Sequence, residues 1–274
     1  MNWKLWGAQI YGVLRLELRK NLFSRRAIIV YLLGAMQFVI FGLHALIVAL
    51  GYQSCAGTRD LMLFAGSFQI FTLRLAIFFG AVAIFMNLFR GEVMDKSLHY
   101  YFLAPIRREV LVAGKYLAGV VTAVLVFGTS TLLSYVVLLN HLAVTKTAAL
   151  APQAWGDLPA YLGVTVLACM GYGAVFLILG LLFRNPVLPA AAVLLWESLI
   201  IFMPAFLKKI SVIFYLESLC PVRVPFRGPG ALFAVTADPT PAYLAVPGVL
   251  LLTAAVIYLA AARTRKMEIR YGTE

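Results

Sequence analysis

Charged residues are scarce in this sequence. Asp, Glu, Lys and Arg make up 12% of the 274 residues, whereas hydrophobic residues make up 63%, and the mean hydropathy is +0.93. A water-soluble domain of this length would need a much larger polar surface. The composition therefore predicts an integral membrane protein.

The sequence also lacks the motifs of common catalytic and nucleotide-binding sites. It has no GxxxxGK[ST] phosphate loop, because Gly114-Lys115 has no glycine at the required upstream position. It has no HExxH zinc helix and no GxSxG elbow, and its histidines, His44, His99 and His141, are scattered over different loops and spans. We therefore expect no catalytic residue, no metal site and no cofactor in this chain.

Cysteine is rare as well. The three cysteines form neither a CxxC metal motif nor a disulfide-rich framework. Cys169 lies inside an apolar run, where a thiol serves as a small packing residue. Cys55 and Cys220 both fall in segments assigned outside the cytoplasm, so the sequence leaves open whether they form a disulfide.

Long apolar runs dominate the rest of the chain. About 20 apolar residues in a helix cross a hydrocarbon core of roughly 30 Å. By this criterion the sequence predicts an all-α, polytopic membrane protein with six transmembrane helices, at residues 27–50, 70–89, 116–139, 159–182, 187–207 and 242–262. Glycines in the third and fourth spans are expected to allow close helix contact: Gly119, Gly128, Gly163, Gly171, Gly173 and Gly180.

Two segments have a different character. Residues 1–26 place Trp3, Trp6 and Ile10 near one helical stripe with basic residues elsewhere, which predicts a helix in the membrane interface, either beside a partner or as a simple anchor. In residues 208–241 the apolar part, residues 210–219, is too short to cross a membrane, and the rest is rich in proline and glycine. They predict a re-entrant or interfacial segment before the last span.

The basic residues indicate the orientation. The formal net charge is +12, and most of the 23 lysines and arginines fall on one side of the predicted spans if both termini are cytoplasmic. The positive charges lie at the ends of apolar runs, which favours contacts with anionic lipid over nucleic-acid binding. We expect both termini to be cytoplasmic and no nucleic-acid partner.

Residues 90–115 form a charged island between the second and third spans. Met94, Leu98, Tyr101 and Phe102 recur at helical spacing, which predicts a short amphipathic helix that stops near Pro105. A second helix is expected to start at Arg107 and run into the membrane. Taken by itself, such an island is interpreted as a cytoplasmic loop whose charges only set the orientation of the protein in the membrane.

This island and the layout of the spans resemble the permease subunits of ABC-2-type transporters. The resemblance lies in the acidic residues, the amphipathic segment, the run Ala104-Pro105-Ile106-Arg107-Arg108-Glu109-Val110-Leu111 and Gly114-Lys115. In that family a coupling helix between the second and third spans docks into a separate ATPase subunit. The family also has an interfacial N-terminal helix and short helices before its last span.

The resemblance implies a function for the whole chain. Two permeases, identical or related, would form a translocation pathway in a bacterial inner or plasma membrane. Two separate ATPase subunits would bind ATP and Mg. Export is the expected direction. The expected ATPase-docking residues are Glu92, Asp95, Leu98, Tyr101 and Phe102, while Arg107 and Arg108 would hold the loop at anionic headgroups or at the ATPase.

Two charged residues lie within predicted spans. Arg74 and Glu197 differ in depth by about one helical turn, and intramembrane charges are expected to have a partner or a function. They predict either a structural ion pair or a pair that lines a substrate path. An ATP-independent carrier or a membrane-embedded enzyme centred on Arg74 and Glu197 is the alternative function. The scarcity of intramembrane charge favours an amphipathic or lipid-like cargo.

Overall fold

A computed structural model describes residues 3–25, 27–51, 57–94, 107–144, 148–183, 185, 187–224, 235 and 238–265. These residues are helical with short connections, and no strand occurs among them. The α-helices are α1 (Trp3–Phe23), α2 (Ala27–Ala49), α3 (Gly57–Ser67), α4 (Phe78–Phe85), α5 (Asn87–Met94), α6 (Arg108–Ala123), α7 (Thr129–Val144), α8 (Ala151–Leu182), α9 (Val187–Leu199), α10 (Ala205–Lys208), α11 (Val212–Leu219) and α12 (Ala242–Arg265). The predicted all-α fold is confirmed.

Two long helical rods run through the middle of the bundle. The first, residues 57–94, joins α3, α4 and α5 through a π-helical segment at Phe68–Ile77. The second, residues 108–144, joins α6 and α7 through a π-helical segment at Val124–Gly128. Their apolar parts contain 32 and 36 residues, about 48 Å and 54 Å of helix, so each rod is longer than a hydrocarbon core.

Among the residues that the structure describes, five helices are long and apolar enough to cross a membrane. They are Ala27–Ala49, Thr58–Phe89, Arg108–Ala143, Pro152–Leu182 and Ala242–Arg265. They overlap five of the six predicted spans, although three begin earlier in the chain than predicted. Residues 61–69, which precede the predicted second span, belong to the same helix as that span.

The predicted fifth span, residues 187–207, is an interrupted helix. Helix α9 has 13 residues and continues as a three-residue 3-10 turn to Phe202, in total roughly 25 Å. The backbone is extended at Met203 and Pro204 before α10 begins. Since proline fixes its own φ and restricts the residue before it, Pro204 accounts for the break.

The predicted re-entrant or interfacial region contains a short helix, α11. Its eight residues bury Val212, Ile213 and Leu216 against the neighbouring helices. Cys220 follows it as a buried free thiol, and burial, aided by the nearby Glu217 carboxylate, raises the pKa of this thiol to about 12. The thiol is therefore protonated and unreactive at neutral pH. Cys55, its proposed disulfide partner, lies outside the described residues.

Aromatic side chains form much of the buried core. Phe64 meets Tyr135 and Tyr161 edge to face at centroid distances of 5.0 and 5.3 Å. Phe78 meets Phe176 in the same way at 4.9 Å. The Tyr135 hydroxyl donates to the carbonyl of Ala154 at 2.6 Å, which satisfies the one polar atom of a fully buried ring.

Glycines allow the helices to approach around one phenylalanine. A Cβ added at Gly119 would lie 2.5 Å from the Phe85 ring, and one added at Gly173 would lie 2.4 Å from it. The Phe85 ring is thus held between α6 and α8. The predicted packing role is confirmed for these two glycines and also for Gly171 and Gly180, where an added Cβ would lie 3.1 Å from Val212 and 3.0 Å from the Met86 backbone. By contrast, Gly163 has nothing within 4 Å and Gly128 has only Val124 of its own rod.

The charged island is described at its two ends. Helix α5 ends at Met94, with Glu92 in its last turn, and α6 begins at Arg108, one residue after the predicted start. Asp95, Leu98, Tyr101 and Phe102, and with them the predicted amphipathic helix, lie outside the described residues.

We predict that Gly173→Ala destabilises the protein by about 1–3 kcal/mol, because the Phe85 ring is also bounded by Gly119 and has little room to move. Gly163→Ala in the same helix is the matched control. It should leave stability unchanged or raise it by up to about 1 kcal/mol, since alanine favours helix more than glycine does. Unfolding in detergent, followed by tryptophan fluorescence, measures both, and equal midpoints for the two variants would refute the close contact.

Candidate functional site

A buried ion pair lies near the ends of the two rods that flank residues 95–106 in the sequence. The Lys115 Nζ of α6 donates to the Glu17 Oε1 of α1 at 2.5 Å and to the carbonyl oxygen of Leu88 at 2.9 Å. Both side chains are excluded from solvent, with 0% exposed at Lys115 and 1% at Glu17. The ammonium also lies 5.3 Å from the centroid of the Phe89 ring. One lysine therefore links α1, the end of the first rod and the start of the second.

The sequence next to this pair explains how α1 and α6 come close. Gly114 precedes Lys115, and a Cβ added there would lie 3.0 Å from the Val13 side chain and 3.6 Å from the carbonyl oxygen of Ile10. Val13 is one helical turn before Glu17, so both residues lie on the face of α1 that packs against α6. The absence of a side chain at Gly114 lets the two backbones approach closely enough for the ion pair to form.

Arg107 and Arg108 take part in contacts within the chain. The Arg107 guanidinium lies 5.0 Å from the centroid of the Trp6 ring in α1, a cation–π distance. Arg108 donates to the carbonyl oxygens of Thr264 and Arg265, at 3.1 and 3.0 Å, and so caps the C-terminal end of α12. Glu109 pairs with Arg265 beside this cap. The start of α6 is therefore tied to both the first and the last helix.

A second polar network surrounds the interruption in the predicted fifth span. Arg74, in the π-helical segment of the first rod, donates from Nε and from its Nη2 to the Glu217 Oε1 at 3.0 and 2.7 Å. A third donor, Nη1, reaches the carbonyl oxygen of Glu197 at 3.3 Å. The same π-helical segment contributes Gln69, whose amide donates to the carbonyl oxygen of Val222 at 2.9 Å.

The Glu197 carboxylate holds the N-terminal end of α11. It accepts hydrogen bonds from the Ser211 hydroxyl at 2.5 Å and from the backbone N–H groups of Val212 and Ile213 at 3.1 and 3.2 Å. These N–H groups have no partner inside the helix that they begin. A carboxylate from α9 therefore satisfies them and fixes α11 beside the break.

Arg74 thus contacts the backbone carbonyl of Glu197, but the carboxylate that pairs with Arg74 belongs to Glu217. Sequence reasoning missed Glu217 because the segment that contains it was assigned outside the spans. It also missed Glu17, since α1 was treated as a surface helix. For Glu217 the available signal was a single acidic residue within an apolar helical stretch, the same signal that identified Glu197. For Glu17 the available signal was the one acidic residue of an otherwise basic helix.

A third polar group lies at the opposite end of the rods. His44 of α2, Asp60 of α3 and His141 of α7 each direct one potential metal-ligand atom to a common region in which these atoms lie within 4.8 Å of one another. The histidines were expected to be scattered, and they are in sequence. Helices α2 and α7 both end where α3 begins, which brings two of the histidines together.

No protein-family model matches this chain, and no curated protein matches it in sequence.

We predict that Lys115→Met lowers the free energy of unfolding by about 3–5 kcal/mol, because it leaves the buried Glu17 carboxylate without its counter-charge. The double variant Lys115→Met with Glu17→Leu should recover most of this loss, since neither charge then remains buried. Unfolding by a denaturing detergent titrated into mild-detergent micelles measures all variants.

Arg265→Met provides the control for loss of an ion pair. The Glu109–Arg265 pair is 34% and 65% exposed, and exposed pairs contribute about 1 kcal/mol or less. A Lys115→Met variant no less stable than Arg265→Met would contradict the importance of the buried pair.

Proposed function

We propose that this chain is the permease subunit of an ATP-driven ABC exporter. In this proposal two permeases, identical or related, form the translocation pathway, and two separate ATPase subunits bind ATP and Mg and dock at residues 90–115. The chain lies in a bacterial inner or plasma membrane with both termini in the cytoplasm and has no enzymatic activity of its own. The single observation on which this rests is the buried Lys115 linkage.

Coupling requires that a displacement of the docking loop reach the membrane helices. Residues 95–106 are bordered by α5 and α6, and Lys115 joins α6 to the Leu88 carbonyl in α5 and to Glu17 in α1. Arg108 extends the connection to the end of α12. A force applied by an ATPase at the loop would therefore move these four helices as one body, in keeping with rigid-body switching in other proteins.

The two rods provide a path for such a movement. Each runs from the docking end to the other end of the bundle and contains one π-helical segment, Phe68–Ile77 in the first and Val124–Gly128 in the second. Such irregular turns commonly mark bends and functional positions in helices. Phe127 of the second rod lies against Gly80 of the first, so the rods contact each other close to these segments.

The alternative of a carrier or enzyme centred on Arg74 and Glu197 has less support. Both oxygens of the Glu197 carboxylate already accept hydrogen bonds from Ser211, Val212 and Ile213. This arrangement favours a structural role for that carboxylate. An amphipathic or lipid-like cargo fits the predominantly apolar spans of the proposed permease.

The proposal is tested by affinity purification of the full chain from its native membrane in mild detergent, followed by mass identification of co-purifying proteins. We expect a stoichiometric ATPase subunit with phosphate-loop motifs, and ATP hydrolysis by the complex. Purification of the chain without an ATPase, with transport or catalysis that persists without ATP, would overturn the proposal and favour the Arg74–Glu197 alternative.

We also predict that Phe102→Glu in the complex uncouples ATP hydrolysis from transport, because a carboxylate at the apolar docking face opposes its burial against the ATPase. Leu98→Glu should act in the same way. Hydrolysis and cargo movement are measured in the same proteoliposomes. The control is Trp155→Glu, a comparable change at a side chain that is 59% exposed at the other end of the bundle. Unchanged coupling in the Phe102 and Leu98 variants would count against the docking assignment.

A further inference from the structure

Three side chains from three helices meet at the end of the bundle remote from Lys115. His44 lies near the end of α2, Asp60 in the first turn of α3 and His141 in the last turn of α7. The distance from His44 Nε2 to Asp60 Oδ1 is 3.3 Å, and that from His141 Nε2 to Asp60 Oδ2 is 3.5 Å. The two imidazole nitrogens therefore approach the two oxygens of one carboxylate.

Burial makes the charge of Asp60 expensive. The residue is 0% exposed, and Oδ2 accepts no hydrogen bond from the part of the chain that the structure describes. A buried carboxylate needs a compensating positive charge, which either a protonated histidine or a bound cation can supply. A single carboxylate neutralises only one protonated histidine, whereas one divalent cation can use all three groups at once.

The donor set and its spacing suit a transition metal. Two imidazole nitrogens and one carboxylate oxygen are common ligands of Zn²⁺, while Ca²⁺ and Mg²⁺ prefer oxygen ligands alone. Metal–ligand bonds of about 2.0–2.2 Å in a tetrahedron place the ligand atoms roughly 3.3–3.6 Å apart. Each histidine nitrogen already lies at such a distance from one of the two Asp60 oxygens, and one ligand atom from each of the three residues lies within 4.8 Å of the other two.

The surroundings allow an ion to enter while the carboxylate stays buried. The His44 side chain is 18% exposed, whereas those of Asp60 and His141 are 1% and 6% exposed. His44 also packs against Phe41 at a centroid distance of 5.5 Å, which restricts the orientation of its ring. The last turn of α7 contributes the negative end of a helix dipole next to His141, which further favours a cation.

We propose that His44, Asp60 and His141 bind one divalent transition-metal ion, with Zn²⁺ as the expected ion and water at the fourth position. The ion would join the ends of α2 and α7 to the start of the first rod. By the charge distribution of the sequence, this end faces away from the cytoplasm. The site goes beyond the proposed transport function, because it contains none of the docking residues and does not depend on an ATPase.

The test uses the full chain, purified in mild detergent with an affinity tag that contains no histidine and treated with a chelator. Zinc is then titrated, and bound metal is measured by elemental mass spectrometry and calorimetry. We expect about one zinc ion per chain and a rise in the thermal unfolding midpoint with zinc. Asp60→Asn and His141→Ala should each weaken zinc binding more than ~100-fold. This loss exceeds the ~10–100-fold loss of affinity that follows when a residue that only hydrogen-bonds to a metal ligand is removed.

Two matched controls distinguish this site from adventitious binding. Asp157→Asn makes the same acid-to-amide change in α8, and His99→Ala removes the one histidine outside the cluster. Both should retain the affinity of the original protein. Stoichiometric binding that survives Asp60→Asn and His141→Ala, or binding lost equally in the controls, would overturn the proposal.

The wild-type protein provides a test that does not depend on folding of the variants. X-ray absorption at the zinc edge should show two imidazole nitrogens in the first coordination shell, with oxygen atoms as the other ligands. A first shell without imidazole would overturn the proposal, as would failure of the chelator-treated protein to bind zinc.

Discussion

A charge buried among apolar helices must find its counter-charge there, and this constraint organises the end of the bundle that borders residues 95–106. Lys115 is fully buried because the Glu17 carboxylate and the Leu88 carbonyl surround its ammonium group. The pair determines where α1 lies, since Glu17 can reach Lys115 only if α1 packs along α6. Gly114 permits that approach, and Arg107 adds a contact between α6 and Trp6 of α1.

The same constraint explains how the chain tolerates a helix interruption in apolar surroundings. A break frees backbone N–H and C=O groups, and hydrocarbon provides no water to satisfy them. Before this break Arg74 donates to the Glu197 carbonyl, and beyond it the Glu197 carboxylate accepts from the N–H groups of Val212 and Ile213 at the start of α11. Gln69 does the same for the carbonyl of Val222. Polar side chains on the π-helical segment of the first rod therefore replace the missing solvent.

The two rods connect polar clusters at opposite ends of the bundle. Lys115 joins the rods near the proposed docking loop, and the His44, Asp60 and His141 cluster joins them at the other end. Between these clusters the packing is apolar and close, as at the Phe85 ring between Gly119 and Gly173. An ion held by the cluster would restrain the end of the rods opposite to the one on which the proposed ATPase acts. A movement of the rods that starts at the proposed docking loop would then be resisted at the proposed metal site.

The sequence by itself determined the all-helical class and the membrane-crossing length of five helices, because hydrophobicity and helix-breaking residues act locally. It also gave Arg74 and Glu197 a similar depth, but it left open whether their helices are neighbours. Only the tertiary structure decided that Glu217 pairs with Arg74, that Glu17 pairs with Lys115, and that His44 and His141 meet at Asp60. Such pairings depend on which helix faces pack together. Residues far apart in the chain share no periodic pattern that a single sequence would reveal.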